Sequence, residues 1–211
     1  MEFESFMRLA PKLTNQTLPG EQSHLKMAPP ERRELMKNID PETFKPKRAA
    51  VLMLVYPGEE GAALSLIRRN SYKGVHSSQI AFPGGKIEAD DASPLYAALR
   101  ETEEEIGVDR GTVEVVAPLS PVYIPPSNFC VSPFLGYCHS RPFFIPDPRE
   151  VSEIIEMPLS VLLDDRTIRI QQMPTSYSES IEVPCFVFDE YEVWGATAMM
   201  LSELRDVLKS G

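Results

Sequence analysis

Residues 84–108 read GGKIEADDASPLYAALRETEEEIGV. Ser93 as N-cap, Pro94 at the first helical position and Gly107 at the far end bracket a helix. At about 100° per residue, Glu104 and Glu105 fall on either side of Glu101, so three carboxylates share one face. Glu103 lies on roughly the opposite face. Leu95, Leu99, Thr102 and Ile106 line a separate stripe that can be buried. Each i,i+4 pair of like charges costs about 0.2–0.5 kcal/mol. These charges also gather toward the C-terminal end, where the helix dipole disfavours them. Such a cluster calls for compensation, and its hard oxygens suit Mg²⁺ or Mn²⁺. A solvated acidic face is the plainer alternative; the upstream Pro83-Gly84-Gly85, the burying stripe and the Arg100-Glu101 pair argue against it together.

The remaining composition is that of an ordinary globular protein, with 43% hydrophobic and 25% charged residues among 211. That length supports one substantial core. A formal net charge of −10 argues against a general nucleic-acid or anionic-membrane surface. It leaves room for an acidic small molecule, because local cations set the field inside a pocket. Cys130, Cys138 and Cys185 lack metal-binding spacing and read as free thiols in a reducing compartment. No signal peptide or long apolar run is present, so the expectation is a soluble cytoplasmic protein.

Residues 1–45 read as an N-terminal helical arm and residues 46–211 as the main domain. Phe3, Phe6, Met7, Leu9 and Leu13 predict an amphipathic helix, and residues 31–37 a second, short one. The arm would pack on the core or on a partner subunit, or form part of a substrate rim. The apolar runs 49–56 and 62–67, joined by Pro57-Gly58-Glu59-Glu60-Gly61, predict a hairpin of buried strands. A short strand over 79–82 leads into Pro83-Gly84-Gly85, where two glycines permit a tight turn and close approach. The Gly85 carbonyl there could join a metal shell. Further strands are expected over 112–124, 129–138, 167–171 and 183–188, a short helix over 158–163 and a C-terminal amphipathic helix over 196–208. Strands with few helices and no regular βαβ alternation predict an α/β fold: a mixed sheet with helices on both faces.

Residues 84–108 resemble the Nudix box, G-x5-E-x7-R-E-U-x-E-E-x-G-U with U apolar. Arg100, Glu101, Glu104, Glu105 and Gly107 match, with Thr102 in the first U position. Ala92 stands where the earlier box glutamate is expected, and Asp91 supplies an acid one place before it. That acid is normally structural in the family. The resemblance implies an α/β/α sandwich with the box as loop-helix-loop. It also implies metal held by Glu101, Glu104 and Glu105, with Arg100 orienting Glu104 across one helical turn.

Residues 66–85, LIRRNSYKGVHSSQIAFPGG, resemble the extra motif of the coenzyme A pyrophosphatase branch, L-L-T-x-R-[SA]-x3-R-x3-G-x3-F-P-G-G. Arg69, His76 and the run from Phe82 to Gly85 match; Ile67, Asn70, Gly74 and Ser78 depart. Arg69 and Lys73 would hold phosphates, and His76 would donate to one, act as an acid or serve structurally. Glu150, or Glu153 beside it, would supply the distal base or an extra metal ligand. The resemblance implies hydrolysis of coenzyme A or a derivative to adenosine 3′,5′-bisphosphate and 4′-phosphopantetheine, by a homodimer. ADP-ribose or nucleoside triphosphates remain alternative substrates, and a catalytically silent ligand-binding module is the alternative of another class.

Overall fold

The computed structural model describes residues 1–30, 32, 45–70, 79–173 and 180–211. Lys73, His76 and nearly all of the helix expected over 31–37 lie outside them. The described elements are α1 (Phe3–Leu13), α2 (Glu21–His24), β1 (Lys47–Gly58), β2 (Gly61–Arg69), β3 (Ile80–Ala81) and β4 (Gly84–Lys86). There follow α3 (Pro94–Ile106), β5 (Glu114–Pro118), β6 (Val122–Ile124), β7 (Phe129–Tyr137), β8 (Val151–Pro158) and α4 (Leu159–Leu163). The chain closes with β9 (Ile168–Met173), β10 (Ile181–Phe188), β11 (Tyr191–Val193) and α5 (Gly195–Ser210).

The continuous apolar run in β1 reflects burial on both faces. Ala49, Val51, Met53 and Val55 point into a large cluster with Phe6, Leu9 and Leu13 of α1 and Leu201, Leu204 and Leu208 of α5. Ala50, Leu52, Leu54 and Tyr56 point the other way, toward Ala97, Ala98 and Ile106 of α3. Helices therefore cover both faces of a mixed eight-stranded sheet, the α/β/α arrangement expected. A second sheet holds β9, β10 and β11. The N-terminal arm packs on the core itself: Phe6, Leu13, Met27 and Ala28 are buried, and the Ala62 amide donates to the Met1 carbonyl at 2.9 Å.

The sheet also builds the site. β1 and β2 form an antiparallel hairpin from Val55↔Leu64 to Gly58↔Gly61, then diverge. Into the gap comes the segment 80–86: β3 pairs with Ile67 and Arg68 of β2, and β4 with Ala49, Ala50 and Val51 of β1. The Leu52 amide donates to the Pro83 carbonyl at 2.9 Å, so the Pro-Gly-Gly turn is held against the central strand. On its other edge, β1 runs parallel to β7.

Several boundaries differ from the sequence expectation. The single strand over 112–124 is two, β5 and β6, because Pro118 and Pro121 offer no amide to the β7 ladder. Residues 151–158, for which no strand is expected from the sequence, form a full strand on β2. β11 had no expectation. α3 is rotated relative to the expected stripe: Leu95 and Leu99 are half-buried, while Ala97, Ala98 and Glu105 face inward. Alanines at that contact let the helix approach β1 closely, and this brings Glu105 under cover.

Candidate active site

The cap signals of α3 are realised. Ser93 Oγ accepts from the Tyr96 amide at 3.1 Å, and Gly107 ends the helix at φ +73°. The loop before the helix is fixed by Arg100. Its guanidinium donates to both carboxylate oxygens of Asp91 at 2.9 Å, to Glu101 Oε1 at 2.9 Å and to Glu104 Oε2 at 3.1 Å. The Glu88 amide also donates to Asp91, at 2.7 Å. These hydrogen bonds hold the Asp91 carboxyl down at about 2. Arg100 is thus the hub of the loop-helix junction rather than a surface ion pair.

Glu101, Glu104 and Glu105 have three different environments. Glu105 is 2% exposed; its Oε2 accepts from the Gly84 amide at 2.7 Å, and Arg69 Nη1 stands 3.5 Å from its Oε1. Burial, with repulsion from Glu101 and Glu150, pushes its pKa up to about 8 against the pull of Gly84 and Arg69. Glu101 is raised as well, by burial first and then by Glu104 and Glu150, although Arg100 opposes the shift. Glu104, with its side chain 59% exposed, stands outside and meets Arg100. As the side chains stand, no group of three carboxylates among the described residues converges on one point.

Gly85 lies directly against Glu101. A Cβ added there would sit 2.4 Å from Glu101 Cδ. Gly84, at φ +147°, would drive a Cβ to 2.3 Å from the Ala50 carbonyl oxygen. The glycine pair therefore divides its duties, with Gly84 seating the turn on β1 and Gly85 leaving room for a carboxylate.

Glu150 comes from the far side. Its amide donates to the Asp147 carbonyl at 3.1 Å, and its carbonyl accepts from the Asn70 amide at 2.8 Å. The Asp147 amide donates to the Glu105 carbonyl at 2.9 Å, which ties this segment to the last turn of α3. The repulsion felt by Glu101 and Glu105 is the electrostatic mark of that approach. Glu153 points elsewhere, pairing with Arg68 at 2.8 Å and accepting from Tyr191 Oη at 2.8 Å. Arg69 Nε is buried with no hydrogen-bond partner among the described residues.

A model of the NUDIX domain matches residues 46–174. The chain belongs to the Nudix family. This Nudix chain is 36% identical over 175 residues to Nudix hydrolase 15, mitochondrial, of Arabidopsis thaliana; the match covers 80% of the chain and 61% of that relative. The chain thus spans less than two thirds of the plant protein's length. It is 34% identical over 171 residues to the uncharacterized Nudix hydrolase NudL of Citrobacter koseri, covering 81% and 87% respectively. The crystal structure of the Nudix hydrolase RenU from M. smegmatis shares the fold, with a TM-score of 0.53 at 17% identity, covering 78% of this chain and 86% of that one.

The structure brings Arg69, Gly85, Glu101 and Glu105 of this Nudix chain together, with Arg100 behind them and the Glu150 segment bonded to the last turn of α3 through Asp147. It also brings in Gly84 as an amide donor and Asn70 and Asp147 as anchors of the Glu150 segment; sequence reasoning gives Gly84 only a part in the turn and places neither Asn70 nor Asp147 in the site. Asn70 had one signal, its departure from the motif. Asp147 had none. Divalent metal suits the donor set: two shielded carboxylates with raised pKa values want positive charge, and Gly85 leaves the face of Glu101 clear. Among the described residues no helix is long and apolar enough to cross a membrane.

Proposed function

We propose that the chain is a metal-dependent pyrophosphohydrolase acting on a nucleoside diphosphate linked to another moiety, namely coenzyme A or a derivative. The observation that carries the reading is the buried Glu105 held by the Gly84 amide, with Glu101 against Gly85 and Arg69 3.5 Å from Glu105 at the rim. Water is added across the P–O–P bridge: its oxygen bonds to one phosphorus and the bridging oxygen leaves with the other. The products are adenosine 3′,5′-bisphosphate and 4′-phosphopantetheine.

Glu101, Glu105 and, after a rotamer change, Glu104 would hold Mg²⁺ or Mn²⁺, with the Gly85 carbonyl as a further oxygen. The ion supplies Lewis-acid polarisation of phosphorus and lowers the pKa of water. Arg100 keeps Glu101 and Glu104 oriented from behind. Arg69, 3.5 Å from Glu105, would pair with a phosphate, and its Nε, which has no partner among the described residues, would supply a further donor. Glu150 is the group suited to take the proton from attacking water. Lys73 and His76 would complete the phosphate contacts. A homodimer in the cytoplasm is the assembly and compartment that the family resemblance and the free thiols support.

The test is a mass-spectrometric hydrolysis assay with Mg²⁺ and then Mn²⁺. Coenzyme A, an acyl-coenzyme A, ADP-ribose, NADH and nucleoside triphosphates are compared, with chelator and Glu105→Gln controls. Glu105→Gln should lower turnover by at least about 10²-fold while the fold persists, since a glutamine can still accept from Gly84. Cleavage of another substrate alone would keep the chemistry and move the specificity. No cleavage of any of them would make the ligand-binding module the better reading.

A further inference from the structure

The segment carrying Glu150 has no regular secondary structure until β8 begins at Val151, yet it is pinned from two directions. On one side the Asp147 amide donates to the carbonyl of Glu105, and the Asp147 carbonyl accepts from the amides of Glu150 and Val151 at 3.1 and 2.9 Å. On the other side lies Asn70, the residue after the end of β2. Its main-chain amide donates to the Glu150 carbonyl at 2.8 Å, and its side-chain Nδ2 donates to the Pro148 carbonyl at 2.7 Å. Any residue at position 70 other than proline can make the first bond; the second needs a side chain with an amide donor at this reach. Serine or alanine, expected there from the coenzyme A motif, cannot make it: a serine oxygen sits one bond closer to the backbone, and alanine has no donor.

We propose that Asn70 is a positioning residue that fixes the Glu150 segment against the last turn of α3, which carries Glu105, by tying residues 148–150 to the end of β2. The role rests on the pyrophosphohydrolase reading, because it matters for turnover only if Glu150 takes part in the chemistry. The adjoining residue, Arg69, faces Glu105 at 3.5 Å. Substrate held by Arg69 and the carboxylate of Glu150 would thus be registered by two consecutive residues of one strand end, so a shift of that strand end moves both together. In a chain with serine or alanine at this position, residue 148 would lose its side-chain tie to the end of β2, leaving the main-chain bond to Glu150 and the Ser152 hydroxyl on the Arg68 carbonyl.

The experiment combines Asn70→Ala, Glu150→Gln, the double variant and Glu105→Gln in the full chain. Steady-state kinetics on coenzyme A are read alongside amide hydrogen exchange at residues 70, 150 and 151. Asn70→Ala should lower kcat about threefold to tenfold, the range one hydrogen bond carries, with KM nearly unchanged. The loss should vanish in the Glu150→Gln background, where there is no longer a carboxylate to position. Exchange at residues 150 and 151 should quicken by a similar factor, while amides of the β1 core stay at wild-type rates.

Independent multiplication of the two kcat effects, or a kcat effect without faster exchange, would overturn the role of Asn70. Wild-type kcat in both Asn70→Ala and Glu150→Gln, with Glu105→Gln inactive, would overturn it while leaving the hydrolase reading in place. Full activity in Glu105→Gln would instead remove the metal-holding role of that carboxylate, and no cleavage by the wild-type chain would remove the hydrolase reading; in either case the exchange rates would still decide whether Asn70 holds the segment.

Discussion

The two adjacent glycines at the mouth of the site offer a separation of folding from chemistry. Alanine at position 84 would place its Cβ 2.3 Å from the carbonyl oxygen of Ala50 and 2.6 Å from Cα of Val51, at a backbone φ of +147°. Both obstacles are main-chain atoms of the central strand and cannot swing aside. Strained φ costs about 1–3 kcal/mol and overpacking about 1–3 kcal/mol more, so Gly84→Ala should lose about 2–6 kcal/mol. At roughly 2–4 °C per kcal/mol for a chain of this size, Tm should fall on the order of 10 °C. Alanine at position 85 meets something different. Its Cβ would lie 2.4–2.6 Å from Cδ and both oxygens of Glu101, the movable end of a side chain. Glu101 must retreat by about 1 Å, and a misplacement of that size near the chemistry costs about 10²-fold in rate. Gly85→Ala should therefore keep its Tm within about 3 °C of wild type, since loss of unfolded-state freedom offsets small strain, while metal-dependent turnover collapses. The assay is thermal unfolding by circular dichroism beside initial rates on coenzyme A with Mg²⁺. Wild-type turnover in Gly85→Ala, or equal Tm losses in the two variants, would refute the division of labour between these glycines.

Three more perturbations reach other parts of the molecule. Arg69→Ala should raise KM by about tenfold with kcat less affected, since it removes a contact made before the transition state; an unchanged KM would make Arg69 structural. Phe6→Ala should cost about 3–5 kcal/mol in urea unfolding, because Phe6 is fully buried and packs edge-on to Tyr137; a loss under 1 kcal/mol would mean the arm is peripheral. Glu203 on α5 is fully buried, accepting from the amides of Gly20 and Ser120 at 3.0 Å each, with His24 Nε2 at 3.2 Å. Burial raises its pKa, but the bonds from His24 and Ser120 outweigh that and hold it below its ordinary 4.5. The stability it lends is therefore present above pH 4.5 and lost as pH falls through the lower folded value. Glu203→Gln should cost about 2–4 kcal/mol at pH 7, a gap that closes as the solution is acidified; a gap constant down to about pH 3 would contradict the assignment.

The sequence by itself determined what depends on neighbours along the chain. Ser93, Pro94 and Gly107 set the helix ends because capping is satisfied within a single turn. Arg100 and Glu104 meet because they are four residues apart on a helix, and Asp91 is near enough in the loop to be gripped by the same guanidinium. The hairpin of β1 and β2 follows from two apolar runs and one turn. Helical spacing also put Glu104 and Glu105 on either side of Glu101, and there local information ended. Only docking of α3 on β1 decided that Glu105 is covered and Glu104 is left outside, because burial is a property of the neighbouring element and not of the helix. The division of residues 112–124 into two strands was likewise settled by pairing with β7. The meeting of Asn70 with Pro148 and Glu150 joins residues 78 and 80 positions apart, through hydrogen bonds that no periodicity can register. Contacts of that range exist only after the sheet has closed, when the end of β2 and the start of β8 lie side by side.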